Sequence, residues 1–238
     1  MTESTKPAPA ARSRVREALT REILDAGRRQ LGEVGSAGLS LRAVAREVGM
    51  VSSAVYRYFP SRDTLLTALI VDAYSAVAVA AEQAERSRPR ADLGGRWLAT
   101  TRAVRTWALD HPQEYALIFG SPVPGYRAPT DTIDPAARIP LLLMEILRDA
   151  KAAGHPPPPG ARDVPPSVRA DLTALRESVA PTLGEEQLAR AIMAWTQLIG
   201  SISFEAFGHL NTTIHDYAGY VDYQMTGIAL TLGLPEPQ

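Results

Sequence analysis

The sequence predicts an all-α protein: an N-terminal three-helix domain with a helix-turn-helix, followed by a larger C-terminal helical domain. Three observations carry that expectation. Apolar residues recur at three- to five-residue steps along most of the chain, the spacing that lines one face of a helix. Runs of alternating apolar and polar residues bounded by turn signals, which would mark strands, are missing. Glycine and proline open or close several of the periodic stretches, where the chain must enter or leave helical dihedrals. The chain has 238 residues, 45% of them hydrophobic, and a mean hydropathy of −0.09. That is enough apolar surface to offset chain entropy and exclude wholesale disorder. The length suits one large domain or two modest ones.

Residues 1–12 (MTESTKPAPAAR) read as a disordered tail, polar and rich in proline and alanine, without the apolar core of a secretory leader. Val15, Leu19, Ile23, Ala26, Leu31 and Val34 then place one apolar face on a first helix, with Gly35 and Gly38 at its end. Ser40 is positioned to cap a short second helix carrying Leu41, Val44, Ala45 and Val48, which Gly49 stops. A third short helix spans about Ser52 to Tyr58 and is closed by Phe59-Pro60, because proline disfavours helix in the residue before it. Ser61 caps the next helix, whose face is Leu65, Leu69, Ala73, Val77 and Ala80. Further helices are expected at about Leu93–Leu109, Pro112–Phe119 and Ala136–Ala153. The segment His155–Pro166 (HPPPPGARDVPP) reads as an exposed loop, since proline lacks the amide donor. Three helices follow, near Ser167–Val179, Gly184–Leu210 and Asp216–Gly233. The expected division is a tail at 1–12, a helix-turn-helix domain at 13–60 and the remainder at 61–238.

Several function classes are set aside by composition. There is no cysteine, which excludes disulfide scaffolds, thiol nucleophiles and Cys-ligated zinc. The four histidines, His111, His155, His209 and His215, are scattered, so no metal site and no cofactor is expected. No nucleophile elbow, phosphate-cradling glycine loop or closely spaced carboxylate/histidine motif is visible, so no enzyme is expected. The longest apolar runs, Ala76–Ala81 and Ile139–Met144, are far shorter than a membrane span, and the protein is expected in the cytoplasm. The formal charge of −1 conceals a split. Residues 1–62 hold 11 Lys+Arg and 6 Asp+Glu, or +5, whereas residues 63–238 hold 14 and 20, or −6. A basic first quarter on an acidic body suggests a nucleic-acid-facing module, although arginines also cluster by chance.

The densest motif is residues 40–65, SLRAVAREVGMVSSAVYRYFPSRDTL. Ala45 lets two short helices approach, Gly49 supplies the turn between them, and Val44, Val48, Val55 and Phe59 face inward. Ser52, Ser53, Ala54, Arg57 and Tyr58 are left on the outer part of the last helix. A helix so presented fits the major groove, and its short N-terminal side chains permit close approach to base edges. This stretch resembles the DNA-binding domain of the TetR family of transcriptional regulators. Ser40-Leu41, Val44-Ala45, Val48-Gly49, Val55-Tyr56, Tyr58-Phe59, Ser61-Arg62 and Leu65 stand in register with its pattern. The resemblance implies that the helix from 52 to 58 reads the groove and that Tyr56 and Arg62 contact phosphates. The DNA-facing set is then Ser40, Arg42, Ser52, Ser53, Ala54, Tyr56, Arg57, Tyr58 and Arg62. Val51 stands where the family usually has serine, so Ser52 is expected to take over as helix cap. Arg62 replaces the common lysine, a cation that can also bind phosphate bidentately.

A second, shorter resemblance is to the WHG type of TetR C-terminal domain, carried by Trp107, His111 and Gly120. From the residues alone, His111 ends one helix beside Trp107, a structural more than a catalytic position. On the helix from 184 to 210, Leu188, Ile192, Trp195, Ile199, Ile202 and Ala206 form an apolar seam flanked by small residues. The last helix repeats the theme with Tyr217, Val221, Met225, Ile228 and Leu232. These helices either build the core of one subunit or pair with a second copy; the family resemblance implies a homodimer through the last two long helices, matching a palindromic operator. Trp97, Thr101, Tyr115, Met144, Met193, Gln197 and Phe204 are either ordinary core or the walls of a pocket for a small, mainly apolar effector. Glu205 and His209, one helical turn apart, are either a surface pair or a polar anchor in such a pocket. The expectation is a TetR-type regulator, a repressor that releases its operator when effector binds. The alternatives are a helix-turn-helix regulator without a ligand and a helical protein-interaction module.

Overall fold

The computed structural model describes residues 9–159 and 163–237; residues 1–8 of the expected tail and 160–162 of the proline-rich loop lie outside them. Among the described residues there are ten α-helices, one 3-10 turn and no strand. They are α1 (Pro9–Gly38), α2 (Leu41–Glu47), α3 (Ser52–Val55), α4 (Arg62–Arg86), α5 (Leu93–Asp110), α6 (Pro112–Phe119), α7 (Ile133–Ala152), α8 (Pro166–Val179), α9 (Glu185–Ala206) and α10 (Tyr217–Thr231), with the 3-10 turn at Thr130–Thr132. Helix α1 takes in the last four residues of the expected tail. Proline is well placed at its start, because the first residue of a helix has no amide partner to lose. The helix is interrupted at Gly35, with φ 67° and ψ 176°.

The chain packs as two units that do not follow the expected cut at residue 60. The first runs up to Ala73 and also takes in Gln113–Thr132; the second comprises Tyr74–Pro112 and everything from Ile133 onward. The boundary thus falls inside α4, and α6 with the loop after it belongs to the helix-turn-helix unit. Sequence contiguity did not show this, because a long helix can give its two ends to different cores.

In the first unit, α1 buries Ile23, Ala26 and Leu31, whereas Val15 (59% exposed) and Val34 (56%) at the two ends of the expected stripe face solvent. Helix α4 comes close to α1 at Gly27, where a side chain would begin 3.2 Å from Leu69. The core is completed by Leu39, Leu41, Val44, Ala45, Val55, Phe59, Leu65 and Leu66, all at most 7% exposed. Arg28 of α1 forms ion pairs with Asp25 of α1, Asp72 of α4 and Glu114 of α6, tying three helices through one guanidinium. The Thr67 and Tyr126 hydroxyls lie 2.8 Å apart, joining α4 to the loop after α6.

In the second unit, α5 packs against α7, α9 and α10. Its Asp92 cap accepts from the Gly95 amide at 2.8 Å. Gly94 leaves room for the C-terminal segment, since a Cβ there would sit 2.2 Å from the Pro235 carbonyl oxygen. The Trp97 indole N–H donates to the Met225 carbonyl of α10 at 3.0 Å. Arg96 is fully buried and donates to Glu85 at 2.6 Å and Asp149 at 2.7 Å, an arrangement that keeps a buried cation paired. Helix α4, by length and composition alone, is long and apolar enough to cross a membrane, although its uninterrupted apolar run Ala76–Ala81 is short. Here its apolar residues serve packing: Leu65, Leu66, Leu69, Ala73, Val77, Ala78 and Ala81 are at most 2% exposed.

Candidate nucleic-acid interface

The turn between α2 and α3 is built by backbone geometry. Gly49 adopts φ 66°, a left-handed conformation that costs other residues steric strain. Its amide returns to the Arg46 carbonyl at 3.3 Å and the Met50 amide to the Ala45 carbonyl at 2.9 Å. These two bonds satisfy free carbonyls of the last turn of α2 and reverse the chain. Ala45, 1% exposed, lies under the crossing, as its small side chain requires.

Beyond the turn the backbone is still extended at Val51 (φ −67°, ψ 141°), so Val51, not Ser52, occupies the cap position of α3. The cap falls where the backbone enters helical dihedrals, whichever residue carries a hydroxyl. Val51 has no side-chain oxygen, so no side chain caps this helix, and it stands 71% exposed at the helix tip. Regular α-helix ends at Val55, three residues before the expected Tyr58. Tighter turns continue the coil, with Arg57 N–H on the Ala54 carbonyl at 3.1 Å and Tyr58 N–H on the Val55 carbonyl at 2.9 Å.

This coil is anchored from beneath by Val55 (0% exposed) and Phe59 (7%). Ser53, Tyr56 and Arg57 are exposed, and Ser52, Ala54 and Tyr58 half-buried. The Arg16 guanidinium of α1 lies 5.1 Å from the centre of the Tyr58 ring, a cation–π contact not foreseen in the sequence. Arg42 and Arg46 on α2 are exposed beside α3. Ser40 takes the cap position of α2 without a side-chain bond to the helix; its own amide donates to the buried Gln30 side chain at 3.2 Å. Ser61 and Thr64 cap α4 reciprocally, at 3.1 Å and 3.0 Å.

Not all the basic charge counted in the sequence is free. Arg28 is occupied by three carboxylates, and Arg29 pairs with Glu47, whose hydrogen bond raises the arginine's pKa further. Arg62 donates from Nη2 to the Ser36 carbonyl at 2.6 Å and from Nε to the Leu39 carbonyl at 3.3 Å. Arg42, Arg46 and Arg57 form no ion pair among the described residues and are exposed.

The seven expected effector residues lie in different surroundings. Trp97, Thr101 and Met144 are buried in the second unit at 1%, 0% and 8% exposure. The Thr101 hydroxyl donates to the Leu98 carbonyl at 3.2 Å, so both it and Trp97 are satisfied within the core. Tyr115 is buried in the first unit. Met193 (68% exposed) and Phe204 (50%) lie on the outer face of α9 together with exposed Gln197. The physical reason is the orientation of α9. Leu188, Ala191, Ala194, Leu198 and Ile202 turn inward, the two alanines allowing close approach, and the bulkier Ile192, Met193 and Phe204 turn outward. The expected seam at Ile192, Trp195 and Ile199 is therefore rotated by part of a turn. Met193 and Gln197 do share one open groove of about 1310 Å³, walled by α9, α10, the start of α8 and the segment before it.

Glu205 does not pair with His209: Arg105 of α5 binds it through both Nε, at 2.6 Å, and Nη2. His111 stacks on Trp107, with ring centres 5.1 Å apart and a 16° tilt, and its Nδ1 lies 3.0 Å from the Trp107 carbonyl oxygen. The ring thus closes the end of α5, in keeping with a structural position.

An exposed, basic, two-helix motif on a buried apolar base defines a helix-turn-helix DNA-binding protein. Its known relatives specify which kind. The family described as "Bacterial regulatory proteins, tetR family" matches residues 23–69, and "Tetracyclin repressor-like, C-terminal domain" matches residues 97–228. The HTH-type transcriptional regulator Rv1816 of Mycobacterium tuberculosis is 40% identical over 201 residues, covering 81% of this chain and 82% of that protein. Mb1846 of Mycobacterium bovis matches to the same extent. The crystal structure of the protein SCO4313 is 34% identical, covers 94% of this chain and 98% of its own, and superposes with a TM-score of 0.75. The chain belongs to the TetR family of DNA-binding transcriptional regulators.

Proposed function

We propose that the protein is a cytoplasmic, homodimeric TetR-type repressor that grips a palindromic operator and releases it when a small, mainly apolar effector binds. The observation that carries the DNA half is α3 itself: Ser52, Ser53, Ala54, Tyr56, Arg57 and Tyr58 stand outward while Val55 and Phe59 hold the coil from below. Short side chains at the N-terminal end permit approach to base edges, and Arg57 with the two tyrosines supplies donors for bases and phosphates. Ser40 and Arg42, at the start of α2, sit where that helix would cross the backbone. The test is a salt-titrated mobility shift on a site selected from random DNA by the wild-type protein. Arg57→Ala with Tyr56→Phe is expected to weaken binding at least about tenfold; unchanged retention would sink the assignment of α3.

The dimer reading rests on the outer face of α9 and α10. Ile192, Met193 and Phe204 of α9, Phe207 at its end, and Tyr223 and Leu230 of α10 are each at least 40% exposed. Gly200 and Gly227, on the same two helices, have open space where a side chain would begin. Large apolar side chains exposed on two neighbouring helices are the material of an association surface. Two such faces related by a two-fold axis would form a four-helix contact. The groove that Met193 and Gln197 share is walled by Met193, Tyr223, Gly227 and Leu230 of this same face, so it goes with the proposed dimer contact, and the effector half rests on family membership. A thermal-shift screen across chemical classes tests it, and a flat response would favour the ligand-independent regulator.

A further inference from the structure

Among the described residues, Arg62 is the basic side chain near the reading helix whose donors are already taken by main chain. Nη2 and Nε lie on one edge of the guanidinium, and that edge faces two carbonyls, Ser36 at 2.6 Å and Leu39 at 3.3 Å. The remaining nitrogen, Nη1, lies 3.6 Å from Asp63. The carbonyls belong to the segment that leaves α1 after Gly35 and enters α2 at Leu41. The buried Gln30 side chain holds the same segment from the α1 side, through the Ser40 amide.

This closes a ring. From Ser36 the chain runs through α2, the Gly49 turn, α3 and Phe59-Pro60 to Arg62, and the Arg62 side chain returns to Ser36. Within the ring, α3 has only four residues of regular helix and no side-chain cap, so its own hydrogen bonds do little to fix where it stands. Its position is set by the buried Val55 and Phe59 beneath it and by what holds its two ends. One end is the Gly49 turn; the other is the start of α4, where Arg62 sits.

We propose that Arg62 is a positioning residue of the reading head: it sets the placement of α3 by clamping the α1–α2 segment to the start of α4, and is not a phosphate ligand. This rests on the reading that α3 enters the major groove. An arginine suits the task where a lysine would not, because two donors on one planar edge meet two fixed acceptors, whereas an ammonium on a flexible stem is a point charge. Clamping by Arg62 predicts loss of fit to the correct sequence. A phosphate contact would predict loss of charge-driven affinity for every sequence.

The experiment compares full-length wild type with Arg62→Lys, Arg62→Met and, as a control for α3, Arg57→Ala. Each is titrated with salt against a site selected from random DNA and against a random-sequence duplex of equal length. Clamping predicts that Arg62→Lys and Arg62→Met both bind the selected site about tenfold more weakly. Their affinity for random duplex, and the slope of log affinity against log salt, stay near wild type. Faster amide exchange at Leu39–Val44 in Arg62→Lys would support the same account in a variant that keeps its charge. A phosphate ligand gives the opposite pattern and overturns the proposal: Arg62→Lys binds as wild type, and Arg62→Met loses about 0.9 from the slope on both DNAs. Equal loss on both DNAs by both variants, with a lowered unfolding midpoint, would show a role in folding alone and also overturns it. Wild-type binding by both Arg62 variants while Arg57→Ala is impaired retires the clamp and leaves the reading helix standing. If Arg57→Ala binds as wild type, the reading of α3 fails, and the clamp fails with it.

Discussion

Val51 is a hydrophobic residue 71% exposed at the cap of a helix, in the extended conformation that a capping serine would use. The backbone is therefore already arranged for a side-chain oxygen that this chain lacks. Val51→Ser is expected to stabilise the protein by about 1 kcal/mol, read as a higher urea midpoint at unchanged slope. At the same scale, Arg16 over the Tyr58 ring steadies a tyrosine proposed to face DNA. Arg16→Gln should weaken DNA binding several-fold, measured by fluorescence anisotropy, by removing a contact of roughly 0.5–1 kcal/mol together with a nearby charge.

Among elements, α1, α4 and α6 meet at Arg28, which pairs with Asp25, Asp72 and Glu114 and is partly exposed. Partial exposure screens each pair, so the junction is worth less than a buried one. Arg28→Met leaves three carboxylates facing one another and is expected to cost about 1–2 kcal/mol. The cost should shrink in high salt, checked by urea unfolding at two ionic strengths. Arg96 in the second unit is the contrasting case. It is fully buried against Glu85, itself 3% exposed, so Arg96→Met is expected to cost about 3 kcal/mol or more, with little dependence on salt. Most helix limits were legible in the sequence, because periodicity and punctuation by Gly49, Pro60 and Pro112 are local signals. The facing of α9 was not. Large apolar residues lie on both sides of that helix, and the small Ala191 and Ala194 turned inward only because α5 and α10 pack closely there.

At the scale of the whole molecule, the proposed dimer makes the exposed faces of α9 and α10 consequential. Met193→Asp combined with Tyr223→Asp should shift the protein to monomer in sedimentation velocity and weaken binding to a palindromic site far more than to a half-site. A dimer unaffected by both changes would place the interface elsewhere. The division into units also crosses the order of the chain: α6 and the loop through Thr132 are packed with the helix-turn-helix, although the chain reaches them only after α5.

The helical periodicity and the motif from Ser40 to Leu65 were sufficient to read the all-α fold, the helix-turn-helix and the resemblance to the family. Each is written in residue types at fixed short spacings, and local backbone chemistry acts on those directly. Tertiary structure decided which charges remain available. Arg28, Arg29 and Arg62 look like Arg42 and Arg57 in a charge count, yet partners distant in sequence, such as Asp72, Glu47 and the Ser36 carbonyl, occupy them. It also decided the surroundings of the pocket candidates, burying Tyr115 and Trp97 and leaving Met193 at the surface. Burial and pairing depend on contacts between residues far apart along the chain, and no local pattern encodes those.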